Sequence, residues 1–222
     1  MQIEIKHIAK HFRRLPVLTD VCLCAQSGCC IGILGSNGSG KSTLLSILAG
    51  ITRCDKGEFL CDGVQLLSQP KVRANLVGYV PQGTPLLEEL TAKDNLLLWY
   101  SREELQASLE NGVLQLLGIG EFLHTQVSKM SGGMKKRLSI GCAISKQPSI
   151  LLLDEPTAAL DLACKEKIFR YLQQYKAQGG ILLLTTHDAM ELSLCDRWYI
   201  LKDGVLQPFP YTGNLQELVD NL

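Results

Sequence analysis

The sequence has no long hydrophobic run and no net charge, and both absences exclude classes of protein. No apolar stretch approaches the ~18 to 20 residues that a membrane-spanning helix needs. The 22 basic residues are balanced by 22 acidic residues in a chain of 222, so no overall charge attracts it to nucleic acid or anionic lipid. The first residues also lack the basic-then-apolar layout of a secretory signal. We therefore expect a globular, cytoplasmic protein that does not bind nucleic acid.

Cysteine spacing typical of zinc sites is also absent, although the chain has nine cysteines. Cys-x-x-Cys pairs are the usual mark of a structural zinc site, and none occurs. The odd number argues against a complete disulfide framework, and most of the cysteines lie in apolar segments, where a free thiol behaves as a small hydrophobe. We predict buried, reduced thiols for most of them. They are Cys22, Cys24, Cys29, Cys30, Cys54, Cys61, Cys142, Cys164 and Cys195.

The chain is hydrophobic enough, at 46%, to bury a substantial core as one domain. No internal repeat or long linker divides it. Apolar or alternating segments predict strands near residues 3–5, 18–23, 31–34, 59–61, 76–80, 150–153 and 181–184. Turn signals between the early strands favour an antiparallel part, whereas the later alternation of strands and helices favours parallel strands with helices on both faces. The predicted fold is α/β with a mixed sheet.

The pattern becomes helical between about residues 83 and 148. Two pairs fit the capping box that begins a helix, and apolar residues at helical spacing follow the second pair; these are Thr91 with Asp94, Ser101 with Glu104, and then Leu105, Leu109 and Val113. A further helix is predicted from Leu162 to Tyr175, after Asp161. We predict a helical subdomain over 83–148, inserted into a core formed by residues 1–82 and 149–222.

A glycine-rich run between a predicted strand and a predicted helix is the most informative feature of the chain. It matches the phosphate-loop pattern G-x-x-x-x-G-K-[ST] with Gly35, Ser36, Asn37, Gly38, Ser39, Gly40, Lys41, Ser42 and Thr43. Glycines let backbone N–H groups converge on phosphate oxygens, and the helix N-terminus favours an anion. We expect Lys41 to reach the outer phosphates and Ser42 to hold Mg²⁺. The pattern by itself does not identify the nucleotide.

Two adjacent carboxylates follow the apolar strand at 150–153. Asp154 is expected to hold Mg²⁺, directly or through water, because it emerges at the carboxyl edge of a parallel sheet, where ligands bind. Glu155 is expected to orient or deprotonate an attacking water. Taken alone, the pair would be better explained as an acid-rich solvated loop or helix N-terminus, and the nearby phosphate loop favours the catalytic interpretation.

Six motifs occur in an order and spacing that resembles the nucleotide-binding subunit of an ATP-binding-cassette (ABC) transporter. They are GSNGSGKST, YVPQ at 79–82, MSGGM at 130–134, LLLDEPT at 151–157, Ala159-Leu160-Asp161 and Thr186-His187-Asp188. The resemblance covers nearly the whole chain. It implies a P-loop NTPase core with an antiparallel β subdomain and a helical subdomain, ATP and Mg²⁺ as ligands, and ATP hydrolysis. Kinases and GTPases share the phosphate loop, and the Ser-Gly-Gly signature separates this family from them.

The resemblance also implies roles for individual residues. Gln82 would sense Mg²⁺ and water and link the site to the helical subdomain, and His187 would contact the γ-phosphate. In a dimer, the signature residues Ser131, Gly132 and Gly133 would cap the nucleotide bound to the other subunit. Asp161 would communicate across the dimer, although it could serve only as a helix N-cap.

Adenine recognition is implied for Phe12, which matches the position of an aromatic residue that stacks on the base in this family, where tyrosine is commoner. Phe12 could instead be a core or surface residue. The chain departs from the common signature at Met130, Met134 and Cys142, and none of these replaces a catalytic group. Met134 and the following Lys135-Lys136-Arg137-Leu138 resemble the exporter branch that keeps its membrane subunit on a separate chain. The basic run could more simply be a solvated helix face.

The resemblance implies a subunit that binds and hydrolyses ATP to power transport, with export favoured. Its partners would be integral membrane transporter subunits and a second ABC ATPase subunit, in a homodimer or a heterodimer. It would then lie on the cytoplasmic face of the membrane through those subunits. A soluble ABC ATPase in a non-transport assembly, such as iron–sulfur cluster biogenesis, is the alternative. A catalytically dead regulatory subunit conflicts with the joint presence of Lys41, Glu155 and His187.

Overall fold

The computed structural model describes residues 1–158 and 160–213. Ala159, which belongs to one of the motifs above, and residues 214–222, the end of the predicted core, lie outside the described residues. Within them the strands are β1 (Gln2–Phe12), β2 (Leu15–Gln26), β3 (Cys30–Leu34), β4 (Lys56–Cys61), β5 (Val64–Gln65), β6 (Val77–Val80), β7 (Ile150–Asp154), β8 (Ile181–Thr185), β9 (Arg197–Lys202) and β10 (Val205–Phe209).

The α-helices of the described residues are α1 (Lys41–Ala49), α2 (Pro70–Leu76), α3 (Ala92–Leu97), α4 (Arg102–Asn111), α5 (Val113–Leu116), α6 (Gly132–Ala143), α7 (Leu162–Ala177) and α8 (Ala189–Leu194). Two 3₁₀ turns, Ile119–Phe122 and Val127–Lys129, lie between α5 and α6. None of these helices is both long and apolar enough to cross a membrane.

All the strands join one sheet in the order β5-β4-β1-β2-β10-β9-β3-β8-β7-β6. Strands β6, β7, β8, β3 and β9 pair in parallel, and β10 pairs antiparallel with β9. Strands β1, β2, β4 and β5 form antiparallel pairs with one another. Strand β10 also pairs in parallel with β2 and so joins the two groups of strands. The predicted mixed sheet is therefore present, with a parallel part and an antiparallel part.

The parallel part places the candidate site. Strands β3, β7 and β8 are buried at every residue, because their apolar side chains meet helices on both faces of the sheet. Their carboxyl ends lie at the same edge. The phosphate loop follows β3, Glu155 follows β7, and Thr186-His187 follows β8, so three motifs that are distant in sequence emerge side by side.

The segment between β6 and β7 contains helices and 3₁₀ turns, and no strand among its described residues. Both predicted capping boxes are present: Thr91 caps α3 with Asp94, and Ser101 caps α4 with Glu104. A buried cluster that includes Leu96, Leu105, Leu114 and Leu138 joins these helices to the sheet. The inserted helical part of the predicted fold is therefore present.

Two predicted boundaries of helices and strands were wrong by a few residues. Val113 does not continue the helix of Leu105 and Leu109, since α4 ends at Asn111 and Gly112 adopts an extended conformation before α5. Glycine has a low helix propensity, and the Ser108 hydroxyl accepts the Leu114 N–H at 3.3 Å, which favours the break. Leu76, predicted as strand, is the last residue of α2.

The cysteines are all free thiols, but the prediction of burial holds only in part. Four are buried and three are half-buried. Cys22 and Cys24 are exposed, because β2 alternates between core and solvent, and both occupy its solvent face.

Candidate nucleotide-binding site

A cleft of about 460 Å³ lies at the carboxyl edge of the parallel strands. It is lined by Phe12, Val17, Asn37, Gly38, Gly40, Lys41, Ser42, Thr43, Gln82 and Glu155. All of these except Val17 are residues that the sequence analysis assigned to ATP or to catalysis. The fold therefore brings the phosphate loop, the expected base-stacking residue and two expected catalytic residues around one volume.

Backbone conformation explains why the phosphate loop needs its glycines. Gly38 and Gly40 have φ angles of 84° and 106°, in the region that side chains disfavour. At Gly35 a Cβ would lie 2.8 Å from the backbone oxygen of Leu201, so the loop could not pack against β9. At Gly38 a Cβ would meet no atom within 4 Å, which leaves the loop open to an approaching ligand.

Lys41 is buried and lies against the loop that precedes it. Its ammonium donates to the carbonyl oxygens of Gly35 at 2.7 Å and Ser36 at 3.0 Å. Burial lowers the pKa of Lys41, and the charges of Glu155 and Asp154 oppose this shift. The carbonyl groups of Gly35 and Ser36 therefore hold the Lys41 ammonium near the carboxylates of Asp154 and Glu155.

Thr185 holds both members of the acidic pair. Its hydroxyl donates to Asp154 Oδ1 at 2.6 Å, and its hydroxyl and carbonyl oxygens both accept the Glu155 N–H at 3.1 Å. Asp154 is buried and is the last residue of β7. Glu155 has a φ of 47°, a conformation uncommon for a residue with a side chain and often found at functional sites.

Gln82 contacts Glu155 directly. Its side-chain amide donates to Glu155 Oε2 at 3.0 Å, so the segment after β6 and the residue after β7 meet in the cleft. This contact connects the helical insertion, which begins just beyond Gln82, with the expected catalytic carboxylate.

His187 is an exposed residue that interacts electrostatically with the cleft. Part of its ring is nevertheless covered, and this partial burial is the main cause that lowers the pKa of His187. The positive charge of Lys41 lowers the pKa further, and the negative charge of Glu155 opposes the shift. The imidazole is therefore mainly neutral at pH 7 and is available as a hydrogen-bond partner for a phosphate oxygen.

The residues expected to hold Mg²⁺ offer suitable donors. Ser42 and Gln82 line the cleft, and the Asp154 carboxylate lies close enough to Lys41 to influence its pKa. A hydroxyl, an amide oxygen and a carboxylate are the oxygen ligands that Mg²⁺ prefers. The donor set therefore fits this ion.

Phe12 is not a core residue, because its side chain is 48% exposed. It lies at the end of β1 and lines the cleft, and the Lys10 ammonium lies 5.2 Å from the centre of its ring. A half-exposed ring at the wall of the cleft is accessible for stacking on a base.

The signature residues do not line this cleft. Ser131 caps α6 by accepting the Met134 N–H at 3.3 Å, and both Ser131 and Gly132 are exposed. Gly133 is buried, and a Cβ there would lie 2.5 Å from Cys164 Sγ on α7. Asp161 is the N-cap of α7 and accepts the Cys164 N–H. The N-termini of α6 and α7 therefore lie together, apart from the phosphate loop.

Lys136 is a functional candidate that the sequence analysis missed. The interpretation of the basic run as a solvated face was wrong for Lys136 and Arg137, which are 5% and 6% exposed. The Lys136 ammonium donates to the carbonyl oxygens of Pro81 and Gln82, both at 2.9 Å. Helix α6 thus binds the backbone of the Gln82 segment. Only the tertiary packing of α6 reveals this contact.

Comparison with known proteins agrees with this geometry. The protein-family model described as ABC transporter matches residues 18–158. The chain belongs to the ABC transporter family. Its ATP-binding cassette has the P-loop core, the antiparallel part and the helical insertion that the resemblance implied.

Curated relatives of the cassette include export proteins. Nod factor export ATP-binding protein I of Rhizobium meliloti (strain 1021) is 34% identical over 208 residues, which cover 91% of this chain and 62% of the relative. The macrolide export ATP-binding/permease protein MacB of Syntrophobacter fumaroxidans is 33% identical over 222 residues, which cover 93% of this chain and 31% of that protein. The chain spans about three fifths of the length of the first of these relatives.

Solved structures share the whole fold of the cassette. An ATP-binding subunit of an ABC transporter superposes with a TM-score of 0.87 at 26% identity, covering 100% of this chain and 99% of the other. A dimeric ATP-binding cassette in a post-hydrolysis state, bound to ADP and Pi, superposes with a TM-score of 0.80 at 28% identity, covering 92% and 96% of the two chains.

Replacing Lys136 by Met should lower the free energy of unfolding by about 1–3 kcal/mol, because the Pro81 and Gln82 carbonyls would lose a charged donor. Lys135→Met is the matched control, since Lys135 makes only a partly exposed ion pair with Glu88 and should cost less than about 1 kcal/mol. Urea unfolding followed by circular dichroism measures both. Equal losses in the two variants would contradict the assigned role of Lys136.

Replacing Lys41 by Met should raise the pKa of His187, because one of the two causes that lower it is the charge of Lys41. The midpoint of the His187 titration, followed by NMR in protein without nucleotide, should move to higher pH. Lys71→Met, an exposed change on α2, should leave that midpoint in place. An unchanged midpoint in Lys41→Met would show that the two side chains do not interact.

Proposed function

We propose that this cassette binds and hydrolyses ATP in a dimer with a second cassette, and that the cycle powers export through membrane subunits. One observation carries the proposal. The phosphate loop, Gln82 and Glu155 line one cleft, whereas the signature residues Ser131 and Gly132 are exposed elsewhere on the chain. A site built from these two halves requires a second cassette, whose signature faces the first cassette's cleft.

The proposed reaction depends on positioning and electrostatics. Glu155 orients or deprotonates the attacking water, while Lys41 and His187 stabilise negative charge on the γ-phosphoryl group. Gln82 holds the Glu155 carboxylate through its side-chain amide. The Glu155 backbone is constrained by Thr185, so the carboxylate is presented to the cleft by hydrogen bonds that already exist in the fold.

Mg²⁺ would be held by Ser42, Asp154 and Gln82, and when bound it neutralises phosphate charge. Phe12 would stack on the adenine. Thr185 keeps Asp154 oriented by donating its hydroxyl proton to the Oδ1 atom. These assignments follow from the cleft geometry and from the residue types that each ligand needs.

The signature of the second cassette would complete the site. Ser131 and the free N–H groups at the start of α6 would contact the γ-phosphate across the dimer, since a helix N-terminus attracts an anion. A Cβ at Gly132 would meet no atom of the described chain within 4 Å, so this glycine leaves room for a close approach. Asp161 lies at the neighbouring helix N-terminus and would contact the other cassette from there.

Membrane subunits would bind an apolar surface on the helical part. Leu87, Leu98 and Trp99 are 50%, 58% and 57% exposed, and we call these three residues the apolar surface. Asn95 fixes the Leu87 backbone to α3 by hydrogen bonds of 2.9 Å and 3.1 Å. Leu87 follows Gln82 by five residues in the chain, so movement of the Gln82 segment would be passed to a partner bound at this surface.

Export from the cytoplasmic face of a membrane is the direction we propose. The Met134 to Leu138 run resembles the exporter branch, and the relatives described above are export proteins by name. Their names do not favour the alternative of an iron–sulfur assembly ATPase.

Replacing Glu155 by Gln should slow ATP hydrolysis by about 100-fold or more, because the general base would be lost, while ATP binding is kept. The variant should also accumulate as a dimer in MgATP. Steady-state phosphate release, nucleotide binding and size-exclusion chromatography with light scattering measure the three effects. Glu58→Gln, an exposed change on β4, is the control. Wild-type turnover in Glu155→Gln would remove Glu155 from the catalytic role.

Replacing Trp99 by Ala should weaken binding to the membrane subunit, because an exposed ring at the apolar surface would be lost. The amount of a partner with membrane-spanning helices that co-purifies from detergent-solubilised cells should fall, while ATP binding by the isolated cassette stays unchanged. Ile51→Ala, which removes an exposed apolar side chain just after α1, is the control. A membrane partner retained equally by both variants would argue against this docking surface.

A further inference from the structure

Three metal-ligating side chains meet on the outer face of the β1–β2 hairpin. They are His7, Asp20 and Cys22, and one ligand atom from each lies within 4.8 Å of the other two. Asp20 and Cys22 are alternate residues on the solvent face of β2. His7 lies at an irregularity in the β1–β2 register and has a φ of 52°. None of the three lines the nucleotide cleft.

The distances between the ligand atoms resemble those of a tetrahedral zinc site. Zn–N, Zn–O and Zn–S bonds of ordinary length at tetrahedral angles place nitrogen and sulfur about 3.6 Å apart, sulfur and oxygen about 3.6 Å apart, and nitrogen and oxygen about 3.4 Å apart. Cys22 Sγ lies 3.7 Å from His7 Nδ1 and 3.6 Å from Asp20 Oδ1. His7 Nδ1 and Asp20 Oδ1 are 2.8 Å apart, the separation of a hydrogen-bonded pair, and would need to move apart by about 0.6 Å to bind one ion.

We infer that His7, Asp20 and Cys22 form a binding site for one zinc ion. An imidazole, a carboxylate and a thiolate are all ligand types that Zn²⁺ accepts, and the two negative groups balance the charge of the ion. The side of the cluster that faces solvent leaves a fourth position for water. The three ligands would connect β1 to β2 at the irregular part of their pairing.

The neighbouring thiols are less suitable as ligands. Cys24 is also exposed on the solvent face of β2, but the Arg197 guanidinium interacts with both Cys24 and Cys29. A fixed positive charge beside these sulfurs opposes cation binding. Cys24 is therefore a matched control for Cys22, because both are exposed cysteines on the solvent face of β2.

The test uses the full chain without an affinity tag, in a phosphine reductant and without nucleotide. Co²⁺ serves as the spectroscopic probe, and Zn²⁺ competes with it. We expect one Co²⁺ per chain, a thiolate-to-cobalt charge-transfer band, and displacement by one equivalent of Zn²⁺. Zn²⁺ should also raise the melting temperature, since a ligand that binds the folded state stabilises it.

Variants assign the ligands. Cys22→Ser should abolish the charge-transfer band, and His7→Ala and Asp20→Asn should each weaken Zn²⁺ binding by about tenfold or more. Cys24→Ser should bind like the wild type. The proposal is overturned if the wild type shows no thiolate band, if the band survives in Cys22→Ser, or if Cys24→Ser loses it. Because all four positions are exposed, circular dichroism should show that each variant remains folded.

Discussion

The candidate site depends on the parallel pairing of β7 with β8, which brings Thr185 beside the two carboxylates. Thr185 donates to Asp154 through its hydroxyl, and its hydroxyl and carbonyl oxygens both accept the Glu155 N–H. These bonds hold Glu155 at a positive φ, a backbone conformation that costs energy for a residue with a side chain. Parallel pairing of β3 with β8 then sets the phosphate loop at the same edge. A shift in either pairing would separate the acids from Lys41.

The helical part is connected to this edge through its own polar contacts. Lys136 binds the backbone at Gln82 from α6, and the Gln82 side chain binds Glu155. A short chain of hydrogen bonds therefore joins the helix that Ser131 caps to the proposed catalytic carboxylate. In a dimer, a contact at the start of α6 and nucleotide binding in the cleft would both act on this chain of hydrogen bonds. Two sites can be coupled only through a structural element that both of them influence.

Local patterns predicted the local structure well. The capping boxes at Thr91 and Ser101 are present, because a cap depends on side chains only three residues apart. The apolar runs at β3, β7 and β8 are strands for a similar reason. Burial was harder to predict. Lys136 is charged, yet it is buried because the Gln82 segment packs over α6 and supplies two carbonyl acceptors, and Cys22 is apolar in character but faces solvent.

By itself, the sequence determined the phosphate loop, the acidic pair and the family, since each depends on residue types at short, regular spacing. Tertiary structure alone decided which of these meet: Gln82 with Glu155 in the cleft, and Ser131 outside it. It also brought His7 next to Asp20, residues whose separation in sequence matches no metal-binding motif. Strand pairing and helix packing join positions far apart in the chain, and the energies that select these contacts come from burying the whole core.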